Sequence, residues 1–410
     1  MQYLFQKEEI QLFDLIAESL SNIDNKSDKN IEISNNDDEV SRMLDLARNH
    51  AIIPMLYPSL HTQLKGQSLE FLEAATREVA MEFYQILFGA HKIVSILESS
   101  GIPVVLLKGA SVARFYPVPE YRRSADIDIL LVNPDQTEEA AKALSSAGYR
   151  PHKEIFVNHS QDWATPDNHI LELHTLAVEP FPEEWINDYT NSIYQFSPEQ
   201  IHRVFVLGFE LPVLSDSLLA FHLLLHMLMD FLRSGFGLKL LCDWVVFWNV
   251  EHDSKEIDLF LKHVQACGLT KYLHVITCTC ITYLGLKKER VPFYQPCEEE
   301  ICKQFLRDVV DAESGGRIDT ARMVTLREAG YLGYLKQFHY HTVLQYPRAR
   351  HIWPLLPILY VIAFTRFMIN NRTVRQGESL KNIFKSAANR GALVQKLDLF
   401  TKTEASDNTE

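Results

Sequence analysis

The spacing of apolar positions changes twice along the chain of 410 residues. In the first hundred residues apolar side chains recur every three or four positions, which predicts helices. Short apolar runs separated by turn residues follow and predict strands. Helical spacing then returns and continues to a polar end. We therefore predict an N-terminal helical region, an α/β core, a C-terminal helical region and a polar tail, bounded at 1–100, 101–214, 215–402 and 403–410.

Three short runs in the middle region predict strands, because they are apolar and lie between turn residues. They are Pro103–Leu107, Ile127–Val132 and His169–His174. One helix is predicted between the first two runs and another at about Thr137–Ala147, and Val204–Leu214 has the pattern of a hairpin. The alternation of strands and helices predicts a small α/β core inside a protein of the α+β class.

Two acidic residues, Asp126 and Asp128, stand on either side of Ile127 at the start of the second predicted strand. Because strand side chains alternate, we expect both carboxylates on one face and Ile127 in the core. Neighbouring carboxylates raise each other's pKa unless a cation lies between them. A hard divalent ion such as Mg²⁺, or Mn²⁺ in its place, satisfies such oxygen ligands.

A third carboxylate, Glu172, stands between Leu171 and Leu173 on the third predicted strand. The same alternation places Glu172 and His174 on one face. If this strand pairs with the strand of Asp128, Glu172 completes a cluster that can hold two metal ions, one for an attacking hydroxyl and one for a triphosphate. His174 either contacts the substrate or donates a hydrogen bond in the core.

The turn after the first predicted strand has the features of an anion site. Gly109 stands between a strand and a helix start, where backbone N–H groups and the positive helix end face an anion. Lys108 and Ser111 are candidate donors to phosphate oxygens, although Lys108 can also be a surface lysine. In the loop that follows, we favour Arg123 over Arg122 as a phosphate ligand, because it lies three residues before the first acid.

Three segments together resemble a known protein family: Leu107–Gly109, Arg123–Leu130 and Leu171–His174. They are similar to the bacterial uncharacterised nucleotidyltransferase family, within the polymerase-beta-like nucleotidyltransferase superfamily. The distinctive part of the resemblance spans 103–175. It implies the α/β fold of that superfamily and a Mg²⁺-dependent transfer of a nucleotidyl group from a nucleoside triphosphate.

The resemblance also implies roles for individual residues. It gives metal-ligand and catalytic roles to Asp126, Asp128 and Glu172. A weaker match continues into the C-terminal helices and places Lys239 near the cleft. Without the resemblance, Lys239 and Asp243 stand four residues apart and would form an ion pair on a helix surface.

At one position the chain departs from the superfamily, because Ala110 follows Gly109 where a small hydroxyl residue or a glycine is usual. A phosphate contact from that side chain is lost, and Ser111 is the nearest substitute. The candidate nucleotide-binding residues are Lys108, Gly109, Ser111, Arg123, His174 and Lys239.

Two histidines of the C-terminal region, His222 and His226, have the four-residue spacing of a metal-binding pair on a helix. No third ligand stands near them in the sequence. We therefore interpret them as residues of the core or of the substrate side rather than as a metal site.

Charge and composition limit the partners and the compartment. The net charge is −13, whereas phosphate neutralisation supplies most of the affinity of nucleic-acid binders, so we expect no extended nucleic-acid surface. The six cysteines lack Cys-x-x-Cys spacing, which favours free thiols in a reducing cytoplasm. No signal peptide is visible at the N-terminus.

Two features of the C-terminal region concern membranes. The apolar run Trp353–Phe364 is too short to cross a bilayer, which needs about 20 residues, so we expect a buried helix and no transmembrane segment. The segment 329–377 contains no Asp or Glu but several basic residues. It either docks an anionic partner such as a membrane surface, or its arginines pair with acids elsewhere in a buried lobe.

These patterns predict a metal-dependent nucleotidyltransferase that moves a nucleoside monophosphate from a nucleoside triphosphate such as ATP. The acceptor, whether a small molecule, a peptide or a protein, is not identified by the sequence. One alternative is a non-catalytic module that binds a nucleotide or a partner on the same fold, which Ala110 favours. Another is a peripheral membrane-associated protein that acts through 329–377.

Overall fold

The computed structural model describes residues 4–20, 31–34, 36–152, 159–167, 169–197, 200–233, 235–312, 338–339, 342–343, 353–374 and 390–401. The predicted polar tail and nearly half of the acid-free segment 329–377 lie outside the described residues. Within the described part, the chain forms one mixed sheet with helices packed against it, which confirms the α+β class.

Helices precede and follow the strands, as the sequence predicted. Their bounds are α1 (Lys7–Leu20), α2 (Asp37–Asn49), α3 (Tyr57–Leu60), α4 (Gly66–Ser99), α5 (Ala110–Ala113), α6 (Thr137–Ser146), α7 (Glu184–Ile193), α8 (Asp216–Arg233), α9 (Leu238–Trp248), α10 (Ser254–Ala266), α11 (Thr270–Tyr283), α12 (Glu299–Ala312) and α13 (Leu356–Val374).

Seven strands form the sheet in the order β3-β4-β5-β2-β1-β7-β6. Their bounds are β1 (Val104–Leu106), β2 (Asp126–Leu131), β3 (Arg150–Pro151), β4 (Ser160–Ala164), β5 (Ile170–His174), β6 (His202–Val206) and β7 (Phe209–Val213). The pairs β2–β5 and β1–β7 are parallel, and the others are antiparallel. The three predicted strands and the hairpin are confirmed. Strands β3 and β4 were not predicted, because Gln161 and Asp162 interrupt any apolar run in β4.

The alternation of side chains in β2 divides the core into two parts. Ile127, Ile129 and Leu131 belong to a cluster that also contains buried residues of α4 and α6. Leu130 belongs to a second cluster, which contains buried residues of α8 and α9. Asp126 and Asp128 have the same parity as Leu130, so they face the side of α8 and α9.

Helix α4 lies close to β2 at a glycine. A Cβ atom built on Gly89 would stand 3.1 Å from Cδ1 of Ile127, which is tighter than most contacts of that kind. Ile127 is the residue between the two acids, and it is 2% exposed. The approach of α4 therefore helps to fix the height at which Asp126 and Asp128 stand on the opposite face.

The N-terminal and C-terminal helices share one core on the face of the acids. Its buried residues come from α1, α2, α8, α9, α11 and α12. Helix α8 is apolar around most of its circumference, which is typical of a helix surrounded by protein. Polar side chains on such a helix are costly to bury, so the few that α8 carries toward the sheet require partners or a cavity.

The expectation of a buried helix at Trp353–Phe364 was half right. The segment enters α13, but Ile358 and Val361 are 56% and 66% exposed. No helix of the described residues is both long and apolar enough to cross a membrane.

The division of the core predicts that β2 depends on its contacts with α4. Replacing Ile129, which is fully buried in that cluster, by Ala should lower the free energy of unfolding by about 2–5 kcal/mol. Ile10→Ala is the matched control, since Ile10 is 42% exposed on α1. Urea denaturation of both variants measures the difference. Equal losses in the two variants would contradict this assignment of the core.

Candidate functional site

The register of β2 and β5 brings the second and third acids together. In this parallel pair Asp128 lies opposite Glu172, Asp126 lies opposite Ile170, and Leu130 lies opposite His174. Both carboxylates of the Asp128–Glu172 pair stand on the same face of the sheet. The pairing on which the predicted cluster depended is therefore confirmed.

His174 links the two paired carboxylates. Its Nε2 lies 3.2 Å from Oδ1 of Asp128 and 3.4 Å from Oε2 of Glu172. Burial alone would lower the pKa of His174, but the hydrogen bonds to Asp128 and Glu172 raise it to about 9. The imidazolium form is thus favoured near neutral pH and donates to both carboxylates.

One oxygen of Asp128 has no protein donor. Asp128 is 3% exposed, and its buried Oδ2 has no hydrogen-bond partner among the described residues. Ligand atoms of Asp128, Glu172 and His174 lie within 4.8 Å of one another. A buried carboxylate oxygen without a donor, beside a second carboxylate, fits the oxygen ligands that Mg²⁺ and Mn²⁺ prefer.

Asp126 lies on β2 two residues before Asp128 and is not part of this group of three. It is partly buried, and the charge of Asp128, followed by burial, raises the pKa of Asp126. Both carboxylates lie on the same face of β2, as the sequence predicted from their spacing. Among the described residues, however, the compact group includes His174 in the place where Asp126 was expected.

Lys108 follows β1 and supplies the positive charge nearest Asp128. Its Nζ lies 3.2 Å from Oδ1 of Asp128 and 3.2 Å from Nε2 of His226. Burial lowers the pKa of Lys108, but the charges of Asp128 and Asp126 outweigh burial and raise it above its ordinary range. The same ammonium lowers the pKa of Asp128 against the effect of burial. Lys108 is therefore part of the cluster and not a surface lysine.

The turn at Gly109 has the predicted shape, but its neighbours differ in their access to the cleft. Gly109 has φ of +70°, a conformation that disfavours any residue with a Cβ. Ser111 is fully buried, and its hydroxyl has no hydrogen-bond partner among the described residues. Arg123 is half-exposed and lies 3.9 Å from Glu82 of α4. The structure thus places Gly109 at the turn, Ser111 in the core and Arg123 beside α4.

Arg122, which sequence reasoning ranked below Arg123, is the buried arginine of the loop. Its Nε and Nη2 donate to the two oxygens of Asp243 at 2.7 and 2.8 Å, and Nη1 donates to Ser124 at 2.7 Å. The hydroxyl of Tyr116 donates to Asp243 at 2.6 Å. The spacing of Asp243 from Lys239 suggested an ion pair on a helix surface. Asp243 is instead buried and pairs with Arg122. It joins α9 to the loop before Asp126.

Lys239 stands on α9, one helical turn before Asp243. Burial, and then the charge of Arg122, lower the pKa of Lys239 to about 8, while the charges of Asp243 and Asp126 act in the opposite direction. An anion that binds beside such a lysine stabilises its charged form, because it offsets the effects of burial and of the neighbouring arginine. The cleft position of Lys239 that the resemblance implied stays a prediction.

Helix α8 adds Asp230, which the sequence analysis did not select, to the two histidines that it assigned to the core or the substrate side. His222, His226 and Asp230 stand at four-residue intervals and face a cavity of about 140 Å³ that also borders Lys108, Asp128, Glu172 and His174. The i, i+4, i+8 spacing was the available signal, but only the two histidines were noticed. The apolar circumference of α8 concealed the polar stripe.

The comparison with known proteins adds one positive result. Residues 36–285, more than half of the chain, match the family described as "Uncharacterised nucleotidyltransferase". No curated protein matches the chain. The matched range contains β1 to β7, both acids of β2, Glu172 and the helices α8 and α9. The chain therefore belongs to this uncharacterised nucleotidyltransferase family.

Proposed function

We propose that the protein transfers a nucleoside monophosphate from a nucleoside triphosphate to an acceptor hydroxyl, with the help of divalent metal ions. The pairing of Asp128 with Glu172 carries the proposal, because it concentrates buried negative charge at the mouth of a cavity. Two adjacent carboxylates repel each other, so the pair needs the compensating charges of Lys108 and His174. A role in holding cations accounts for its cost.

Asp126, Asp128 and Glu172 would hold Mg²⁺ or Mn²⁺, and the free Oδ2 of Asp128 is the ligand atom that the protein leaves available. When bound, the ions would neutralise the triphosphate and lower the pKa of the acceptor hydroxyl. His174 holds Asp128 and Glu172 at a fixed distance through its shared Nε2. It acts on the substrate only through these carboxylates.

Three groups of the chain are our candidates for binding the triphosphate. The Gly109 turn lets backbone N–H groups approach phosphate oxygens. Lys108 and Lys239 supply ammonium donors from opposite elements, the end of β1 and the start of α9. The Asp243–Arg122 pair keeps the loop before Asp126 against α9. The positions of Ser111 and Arg123 support a phosphate contact less well.

In the proposed reaction, one bond to the α-phosphorus forms and another breaks. The acceptor oxygen forms a bond to the α-phosphorus, and the bond from that phosphorus to the bridging oxygen of the β-phosphate breaks. Pyrophosphate leaves, and the hydroxyl proton passes to Glu172, the partly exposed carboxylate of the cluster. Positioning and charge stabilisation by fixed groups then supply most of the rate.

Removal of the negative charge of Asp126 or Glu172 should weaken metal-dependent nucleotide binding. We expect Asp126→Asn and Glu172→Gln each to weaken binding of a nucleoside triphosphate with Mg²⁺ by roughly 10–100-fold or more, as measured by calorimetry with ATP, GTP, CTP and UTP. Asp258→Asn, a change of an exposed acid on α10, is the control. Binding that is equal with and without Mg²⁺, or unchanged in both cluster variants, would overturn the proposal.

Lys108 should compete with metal for Asp128. Lys108→Met removes a positive charge 3.2 Å from Oδ1, so Mn²⁺ should bind the nucleotide-free protein about tenfold more tightly, while nucleotide affinity falls. Electron paramagnetic resonance of free Mn²⁺ measures the first effect. Lys92→Met, at an exposed site on α4, should leave Mn²⁺ affinity unchanged. Weaker Mn²⁺ binding in Lys108→Met would show that Lys108 supports the metal instead.

Nucleotide affinity should decline as pH rises above about 8. The pKa of Lys239 is lowered to about 8, and a triphosphate favours its charged form, so the contribution of Lys239 is present below that pH and lost above it. Lys239→Arg keeps its charge throughout and should give the flatter profile. His174 is common to both proteins, so their difference reports Lys239 alone. Superimposable profiles between about pH 7 and 9.5 would contradict this role.

A further inference from the structure

The cavity beside the carboxylate cluster is lined by both apolar and polar side chains. Its volume is about 140 Å³, close to that of engineered cavities that hold a benzene-sized ligand. The lining combines apolar side chains such as Leu225 and Met229 with polar groups from the sheet, from α8 and from the segment after β5. It is large enough for the reacting end of a small alcohol.

The position of the cavity relative to the acids separates it from the nucleotide side. Its lining contains Asp128, Glu172 and His174, whereas Asp126, Gly109 and Lys239 are outside it. In the β2–β5 register, His174 is two residues beyond Glu172, away from the end of the strand where Asp126 lies. A molecule in the cavity would therefore meet the carboxylates from the side away from Gly109 and Lys239, with Lys108 bordering both sides.

One wall of the cavity offers unused hydrogen-bonding capacity. His222 is 5% exposed, and at least one of its ring nitrogens has no hydrogen-bond partner among the described residues, since only the backbone of Ala177 forms a hydrogen bond with the ring. Burial, and then the charge of Lys108, lower the pKa of His222 to about 3, so the ring is neutral. A neutral imidazole has one donor and one acceptor, which is the complement of a hydroxyl group. Leaving a buried ring nitrogen unsatisfied is costly unless a ligand satisfies it.

The charge of the opposite wall selects among ligands. Glu179 and Asp230 both line the cavity, and burial, with a smaller contribution from Glu179, raises the pKa of Asp230 to about 6. Lys108, the one lysine in the lining, is already bound to Asp128. Arg233 pairs with Glu179 but is not part of the lining. An anionic ligand would meet carboxylates here, whereas an ammonium group would find partners.

We propose that this cavity is the acceptor subsite and that it takes an alcohol bearing a primary amine. The hydroxyl lies toward Glu172 and His222, and the ammonium lies toward Asp230 and Glu179. Acceptors that react through a phosphate or carry one next to the hydroxyl are disfavoured. This inference rests on the proposed function, because only a transferase requires an acceptor.

A matched series of three-carbon probes tests the choice of charge. 3-Aminopropane-1,2-diol, glycerol and glycerate share a skeleton and differ in carrying a cation, no charge or an anion. Ligand-detected NMR titrations use the full chain with Mg²⁺ and a non-hydrolysable triphosphate analogue. We expect the amine to bind roughly tenfold or more tightly than glycerate, with glycerol between them.

Two variants locate the binding. Met229→Trp fills the cavity from α8 and should abolish binding of all three probes, whereas Met81→Trp, at a site 60% exposed on α4, should not. Asp230→Asn keeps the shape but removes a charge, so it should reduce the amine's advantage over glycerol to near none. Circular dichroism and thermal unfolding establish that each variant is folded.

The outcomes separate this inference from the proposed function. Metal-dependent binding of the triphosphate analogue, measured on the same samples, tests the proposed function alone. If that binding is present but glycerate matches or exceeds the amine, or no probe binds, the acceptor assignment is wrong. Amine binding that survives Met229→Trp would place the amine elsewhere and would equally overturn it.

Discussion

The burial of Asp128 opposite Glu172 is the constraint around which the rest of the site is arranged. A carboxylate that is 3% exposed cannot remain charged without compensation. Lys108 and His174 provide it from the neighbouring strands, each at 3.2 Å from the same oxygen. The other oxygen is left without a protein donor. The protein thus balances the charge of Asp128 while keeping a ligand atom available.

This arrangement depends on helices far apart in the sequence. Helix α4 packs on one face of the sheet and holds Ile127, and α8 and α9 cover the other face, where the acids lie. Asp243 of α9 then fixes Arg122 in the loop before Asp126 through two short hydrogen bonds. Because α9 also carries Lys239, the same helix that positions the loop supplies a candidate phosphate donor. The sheet alone would leave the carboxylates exposed to water.

Much of the sheet and of the acidic cluster could be predicted, because both follow from alternation along short strands. The spacing of Asp126, Asp128 and Glu172 was sufficient once β2 and β5 paired. The buried pair of Arg122 and Asp243 could not be predicted, since a contact across 121 residues leaves no local pattern. Spacing put His174 on the face of Glu172 and aligned Asp230 with the two histidines of α8, but it could not show that His174 contacts Asp128 or that α8 turns this stripe toward the sheet. The exposure of α13 was missed for the same reason, because burial depends on what packs against an apolar run.

The most direct test of the account is to locate the metal. Crystals of the protein with Mn²⁺ and a non-hydrolysable triphosphate analogue would give an anomalous scattering peak for each ion. The account predicts a peak within bonding distance of Oδ2 of Asp128, shared with Asp126 or Glu172, and triphosphate oxygens on the side of Gly109 and Lys239. A peak at another group of residues, or a bound triphosphate with no manganese at Asp128, would contradict it.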